Sequence, residues 1–315
     1  MTRSSQSSRP TRWVLPLVLA LALSVVATGC SGGGGSDAAG TPQASATTSS
    51  AGDPTASSRY GTYVALGDSY TAAPLVPTTD TSNGCLRSTG NYPSLVAQAM
   101  PGTDLVDVSC SGADSSSMVG VQETGSQAQQ PQFDALSGST DLVTVGIGGN
   151  DFGLFGTLIG TCAKLRGSDP TGAPCRARLS SGGSDTLTRE LGQIRGHVAA
   201  IVAGIRDRAP HATVVVVGYP QIVPAHGTCP QLLPLATGDY AYARRINQGL
   251  ADAVRQGARR ADDYIDVFKA SAGHDICARD PWINGQGTDP ARALAFHPFA
   301  VEQKAVARLV LAAIG

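Results

Sequence analysis

Tyr63-Val64-Ala65-Leu66-Gly67-Asp68-Ser69 is a short apolar run that stops at a glycine and ends on a hydroxyl. The texture returns down the chain. Leu105-Val106-Asp107-Val108 leads into Ser109-Cys110-Ser111-Gly112, and Leu142-Val143-Thr144-Val145 into Gly146-Ile147-Gly148-Gly149-Asn150-Asp151. Thr213 to Val217 is closed by Gly218-Tyr219-Pro220, and Tyr264-Ile265-Asp266-Val267 ends near Ser271. Short β-branched runs closed by Gly or Ser turns are the pattern of buried parallel strands. Helical spacing lies between and after them. Leu187, Leu191, Ile194, Val198, Ile201, Val202 and Ile205 recur at intervals of three and four, with Pro210 as the stop. Ile246, Leu250 and Val254 mark a second helix. Val301, Ala305, Leu309 and Leu311 fit a last one, begun by Pro298 at a first-turn position. The alternation predicts an α/β fold around a parallel sheet.

Ligands of such sheets sit at the carboxyl ends of the strands, and the unusual residues stand there. Ser69 ends the first run, Gly112 the second and Asn150 the third. Acyl transfer needs hydrogen-bond donors converging on the oxyanion of a tetrahedral intermediate. The backbone N–H of a glycine and the side-chain NH₂ of an asparagine supply them without competing as nucleophiles. A serine hydroxyl needs a base, and five His are available. His211 precedes the fourth strand and falls at the wrong edge. His197 lies within a helix, on the flank of its apolar face. His226 and His274 follow strands four and five. His297, just before Pro298 and the final helix, is the first candidate for the base, and His274 the second.

Gly67-Asp68-Ser69-Tyr70, Gly112 within Ser-Cys-Ser-Gly-Ala, Gly149-Asn150-Asp151 and His297-Pro298 occur in the order of the SGNH (GDSL) hydrolases. From about Tyr63 to its C-terminus the chain resembles that superfamily, and within it the disulfide-bearing secreted lipases and esterases of actinobacteria. Gly84-Cys85-Leu86-Arg87-Ser88, Val217-Gly218-Tyr219-Pro220 and Gly273-His274-Asp275-Ile276-Cys277 with Pro281-Trp282 look like their signatures. The resemblance implies a three-layer α/β/α sandwich with a five-stranded parallel sheet, flavodoxin-like in type. It makes Ser69 the nucleophile and His297 the base. The backbone N–H of Ser69, that of Gly112 and the side chain of Asn150 become the oxyanion hole. One position departs from the pattern: where many members carry an Asp three residues before the His, this chain has Leu294. A Ser–His dyad is therefore expected, with the carbonyl of Leu294 orienting the imidazole and Asp289 or Asp280 as side-chain substitutes. Pro298 further suggests that His297 caps the final helix, whose positive end disfavours imidazolium.

Seven Cys are an odd number. Six have no CxxC and no His at metal-ligand spacing, so neither a metal nor a cofactor is expected. Strand order suggests Cys85 with Cys110, Cys229 with Cys277 and, as the remaining pair, Cys162 with Cys175; the resemblance implies the same pairing. The seventh, Cys30, follows Val26-Ala27-Thr28-Gly29. Arg3, Arg9 and Arg12 precede an apolar run from Trp13 to Ala27, the charged-then-apolar order of an export signal. Small residues before a Cys resemble the bacterial lipoprotein box, which would acylate Cys30 and remove residues 1–29. That removal would take three Arg and shift the formal charge from −1 to −4. Simple secretion is the alternative. Residues 30–58 then read as the lipidated Cys and a flexible Gly/Ser/Ala/Thr tether spanning about 30 Å r.m.s., and residues 59–315 as the hydrolase domain.

The 315 residues carry 15% charged side chains and no basic stripe, which argues against nucleic acid as a partner. Within residues 59–315 the Gly-x-Ser-x-Gly elbow of an α/β-hydrolase, a P-loop and a complete dinucleotide fingerprint are all absent. The expected protein is a monomeric carboxylic ester hydrolase, a lipase or esterase, outside the cell and tethered to its membrane. An O-acetyl esterase of cell-envelope glycans and a catalytically dead binding lipoprotein are the competing readings.

Overall fold

The computed structural model describes residues 58–125, 127–180 and 183–315. The export signal, Cys30 and the tether up to residue 57 lie outside the described residues. Five strands form one parallel sheet: β1 (Thr62–Gly67), β2 (Asp104–Asp107), β5 (Leu142–Gly146), β6 (Thr213–Val217) and β7 (Asp263–Ile265). Their order is β2-β1-β5-β6-β7. A short antiparallel ribbon, β3 (Gln122–Glu123) with β4 (Ala128–Gln129), stands apart. The register pairs Tyr63 with Leu105 and Leu142, and Gly67 with Gly146, so the turns after β1, β2 and β5 emerge side by side.

Side chains alternate across the sheet and build a core on each face. Val64, Leu66, Val143, Val145, Val214 and Val216 face α5 (Thr186–Arg208) and α6 (Tyr240–Gly257). Tyr63, Ala65, Leu142, Val215 and Val217 face α2 (Tyr92–Gln98) and α8 (Ala300–Ile314). The fold is thus the three-layer α/β/α sandwich. Polar caps set the starts of two of these helices: Asn91 accepts from the Ser94 N–H and Asp185 from the Thr188 N–H, each cap contributing about 1 kcal/mol. Four shorter helices complete the set: α1 (Ser69–Ala72), α3 (Cys162–Leu165), α4 (Pro174–Leu179) and α7 (Val267–Ala270).

Two expectations need correcting. The fifth strand ends at Ile265, because Asp266 caps α7 by accepting from the Lys269 N–H. The final helix starts at Ala300 with Phe299 as its N-cap, so Pro298 lies outside it. Its inward face is also not the one read from apolar spacing: Val301 and Leu309 are exposed, and Glu302, Gln303, Ala305, Val306 and Val310 are buried. The polar pair is drawn inward by hydrogen bonds: Gln303 donates to Glu302 and to the Tyr70 carbonyl and accepts from the Tyr92 N–H.

Disulfides join Cys85 to Cys110, Cys162 to Cys175 and Cys229 to Cys277, each typically contributing about 2–4 kcal/mol. The second staples the connection after β5, where a π-helix (Gly156–Thr161) runs into α3. Among the described residues no helix is long and apolar enough to cross a membrane.

Candidate active site

Ser69 opens α1, and the residue before it makes the turn. The carboxylate of Asp68 accepts from the Tyr70 N–H at 2.8 Å. At Gly67 the chain turns with φ +153°, and a Cβ there would fall 2.3 Å from Thr71 Oγ1 and 2.7 Å from the Gly146 carbonyl oxygen. Only glycine lets β1 turn so close to β5. The buried amide of Gln132 satisfies Gly67 on both sides, accepting from its N–H at 2.8 Å and donating to its carbonyl at 2.9 Å.

The neighbouring turns are fastened to this one. The Cys110 N–H donates to the Gly67 carbonyl at 3.0 Å, and Gly112 follows with φ +80°, a conformation that favours glycine. Asn150 gives one side-chain N–H to the Ala113 carbonyl at 2.9 Å, which fixes the amide and leaves its second N–H available. Asp151 accepts from the N–H and the hydroxyl of Ser115 at 2.8 and 2.7 Å, and lies 2.6 Å from His197 Nδ1. Among the described residues the backbone N–H groups of Ser69 and Gly112 donate to no protein acceptor.

Ser69, Gly112, Asn150 and His297 line one cavity of about 280 Å³, with Phe155, Ile159, Leu294 and Phe296 as apolar wall. Ser69 and His297 share it without a direct hydrogen bond between them, a separation that ligand-free sites often show. The imidazole Nδ1 lies 2.7 Å from the carbonyl oxygen of Ala295, not of Leu294. The Leu294 carbonyl is occupied by the His297 N–H and by Asn284 Nδ2, both at 3.2 Å. Phe296, at φ +61°, folds the chain so that the ring reaches back two residues rather than three. With the proton on Nδ1, Nε2 is left bare, the tautomer a general base needs.

Asp280 and Asp289 make no bond to this ring: the backbone carbonyl of Asp280 accepts from His274, and the carboxylate of Asp289 accepts from the Ala291 N–H. Burial lowers the His297 pKa from its ordinary value, and the Ala295 bond offsets part of that. The cause is desolvation and not the helix end, since Phe299 is the cap. Of the other histidines, His197 is held by Asp151, His274 stacks on Trp282, and His211 and His226 are exposed.

The profile of the GDSL-like lipase/acylhydrolase family matches residues 65–300. The chain belongs to that family. Lipase 2 of Streptomyces coelicolor is 38% identical over 266 residues, covering 80% of this chain and 85% of the relative. The crystal structure of phospholipase A1 from Streptomyces albidoflavus NA297 superposes with a TM-score of 0.66 at 29% identity, over 80% of this chain and 99% of that one. An extracellular lipase from Streptomyces rimosus gives the same TM-score and coverage at 28% identity. The protein is thus a carboxylic ester hydrolase.

The acylhydrolase site has supports that sequence reasoning missed. The Tyr219 hydroxyl accepts from the Gly149 N–H at 2.8 Å and donates to the Asp68 carboxylate, tying the Ser69 turn to the Asn150 turn. Its only signal was the Gly218-Tyr219-Pro220 motif. Burial pushes the Asp68 carboxyl up to about 7, against the pull of the bonds from Tyr219 and the Tyr70 N–H. Tyr70 donates to the Phe296 carbonyl at 2.7 Å, and its ring lies 5.5 Å from that of His297. Gln303 donates to the Tyr70 carbonyl at 3.0 Å from beneath.

Asn150→Ala is expected to lower kcat by roughly 10²–10³, the range for one lost oxyanion donor. Steady-state kinetics on a soluble ester checks it; a change confined to KM would assign Asn150 to substrate binding instead.

Proposed function

We propose that Ser69 is the nucleophile and His297 the base of a dyad that hydrolyses lipid esters outside the cell. The observation that carries this is the convergence of a buried hydroxyl, two unused backbone N–H groups, one free amide N–H and an imidazole held at Nδ1 by a carbonyl on a single apolar-walled cavity. Ser69 Oγ attacks the acyl carbon while His297 Nε2 takes its proton. The oxyanion forms against the N–H groups of Ser69, Gly112 and Asn150. Collapse expels the alcohol, which takes the proton from His297. Water then repeats the sequence on the acyl-enzyme, and the acid leaves. The apolar wall of Phe155, Ile159, Leu294 and Phe296 suits an acyl chain, and the relatives named lipase and phospholipase A1 support a lipid substrate. Turnover of p-nitrophenyl esters from acetyl to palmitoyl tests the reading. Hydrolysis extending to medium and long chains is expected; activity confined to acetyl esters would favour an O-acetyl esterase.

The same proposal places the hydrolase on an export path, with residues 1–29 removed, Cys30 acylated and the following segment as tether. The three disulfides support an oxidising compartment. Two acyl chains anchor firmly where one does not. Cys30→Ser is therefore expected to move the protein from the membrane fraction to the medium with kcat unchanged, as fractionation and an ester assay would read. Retention in the membrane would place the anchor elsewhere.

A further inference from the structure

On the other side of the segment that carries the base lies a cavity of about 520 Å³, lined by His274, Arg279, Asp280, Trp282, Arg292 and Phe299 among others. Leu294, Phe296 and His297 line the catalytic cavity, whereas Arg292 and Phe299 of the same segment line this one. Its walls are built. Trp282 and His274 stack with ring centroids 4.8 Å apart and planes 9° from parallel. His274 Nδ1 is fixed 2.8 Å from the Asp280 carbonyl oxygen, and the Trp282 N–H donates to the His274 carbonyl at 2.8 Å. The Arg292 guanidinium lies 4.4 Å over the Phe299 ring. The disulfide at Cys277 pins the strand of chain that brings these residues in.

The guanidinium N–H groups nevertheless have no acceptor. Among the described residues neither the Arg279 nor the Arg292 guanidinium has a carboxylate within 4.0 Å, and neither donates a hydrogen bond to the protein. Guanidinium groups match carboxylates and phosphates in shape as well as charge. An aromatic wall takes the apolar C–H face of a sugar ring, and the Asp280 carboxylate can accept from sugar hydroxyls. The concave form suits a discrete ligand better than a flat bilayer, and the volume lies within the usual range of about 300–1,000 Å³ for ligand cavities. We infer that this cavity is a second site, separate from ester hydrolysis, that binds an anionic sugar unit carrying a carboxylate or phosphate. It would hold the enzyme on an acidic glycan while the catalytic cavity stays open.

Affinity electrophoresis through polygalacturonate, with its fully methyl-esterified form as the uncharged control, tests this. The wild-type protein should be retarded at least fivefold more by the acid than by the ester. Arg279→Gln with Arg292→Gln should abolish the retardation while leaving p-nitrophenyl butyrate turnover within twofold. Glucose 1-phosphate should compete and inorganic phosphate at equal concentration should not. The inference is overturned if no retardation occurs, if the double variant retains it, if inorganic phosphate competes equally, or if the variant instead loses binding to phosphatidylglycerol vesicles.

Discussion

Ser69→Ala is expected to lower kcat by about 10⁶ and to leave the protein folded. The size follows from losing the proposed nucleophile, since nucleophile and base act as a unit and what remains is binding and oxyanion stabilisation. The fold should survive because the serine hydroxyl holds nothing in place. The turn is closed by Asp68 on the Tyr70 N–H, by Gln132 on Gly67 and by Tyr219 on Asp68. Ester turnover, circular dichroism and labelling by a fluorophosphonate probe decide the matter together. A folded variant with activity within tenfold of the parent, or one that still takes the label, would remove Ser69 from the mechanism.

His297→Ala should cost at least about 10³ in kcat, and its pH dependence carries the sharper information. Burial lowers the imidazole pKa below 6.5, so the neutral base persists further into acid. Activity should hold from neutral pH downward and fall only as the pH drops through that lowered value. An acid limb of kcat/KM near 7 would instead report Asp68, whose carboxyl burial pushes up to about 7. The orienting group is a main-chain carbonyl, which substitution does not remove. Asp280→Asn and Asp289→Asn should therefore each retain activity within about tenfold, whereas a true triad carboxylate costs roughly 10⁴. A thousandfold loss in either, with folding confirmed, would make that Asp the third member.

Strand ends were readable because each parallel strand must stop at a turn, and glycine or serine marks the turn in the one-dimensional pattern. The long helix Thr186–Arg208 was readable because its apolar stripe recurs over about five turns. What could not be read depends on contacts between distant residues. Gln132 reaches Gly67 from 65 residues away, and no local pattern distinguishes it from a surface glutamine. Leu294 stands where a common Asp would, but which carbonyl the imidazole meets depends on the positive φ of Phe296, and phenylalanine rarely adopts it. The last helix misled because apolar spacing presumes an apolar floor. Here the floor is polar: Gln303 serves Tyr70 and the Tyr92 N–H, and burial pushes the Glu302 carboxyl up to about 8.

The Ser69 turn and the segment behind it come from opposite ends of the domain. Tyr70 bonds Phe296 across 226 positions and Gln303 across 233. Contacts of such separation are slow to form, because the chain must close a long loop before they reward it. In a molecule whose C-terminal stretch has not yet docked, Ser69 would stand at the start of α1 without His297, the proposed base, beside it. Under the proposed dyad, competence would therefore wait for the stretch that brings in His297. Truncation before His297 should silence the enzyme, which would make docking of the C-terminal stretch the step on which its chemistry waits.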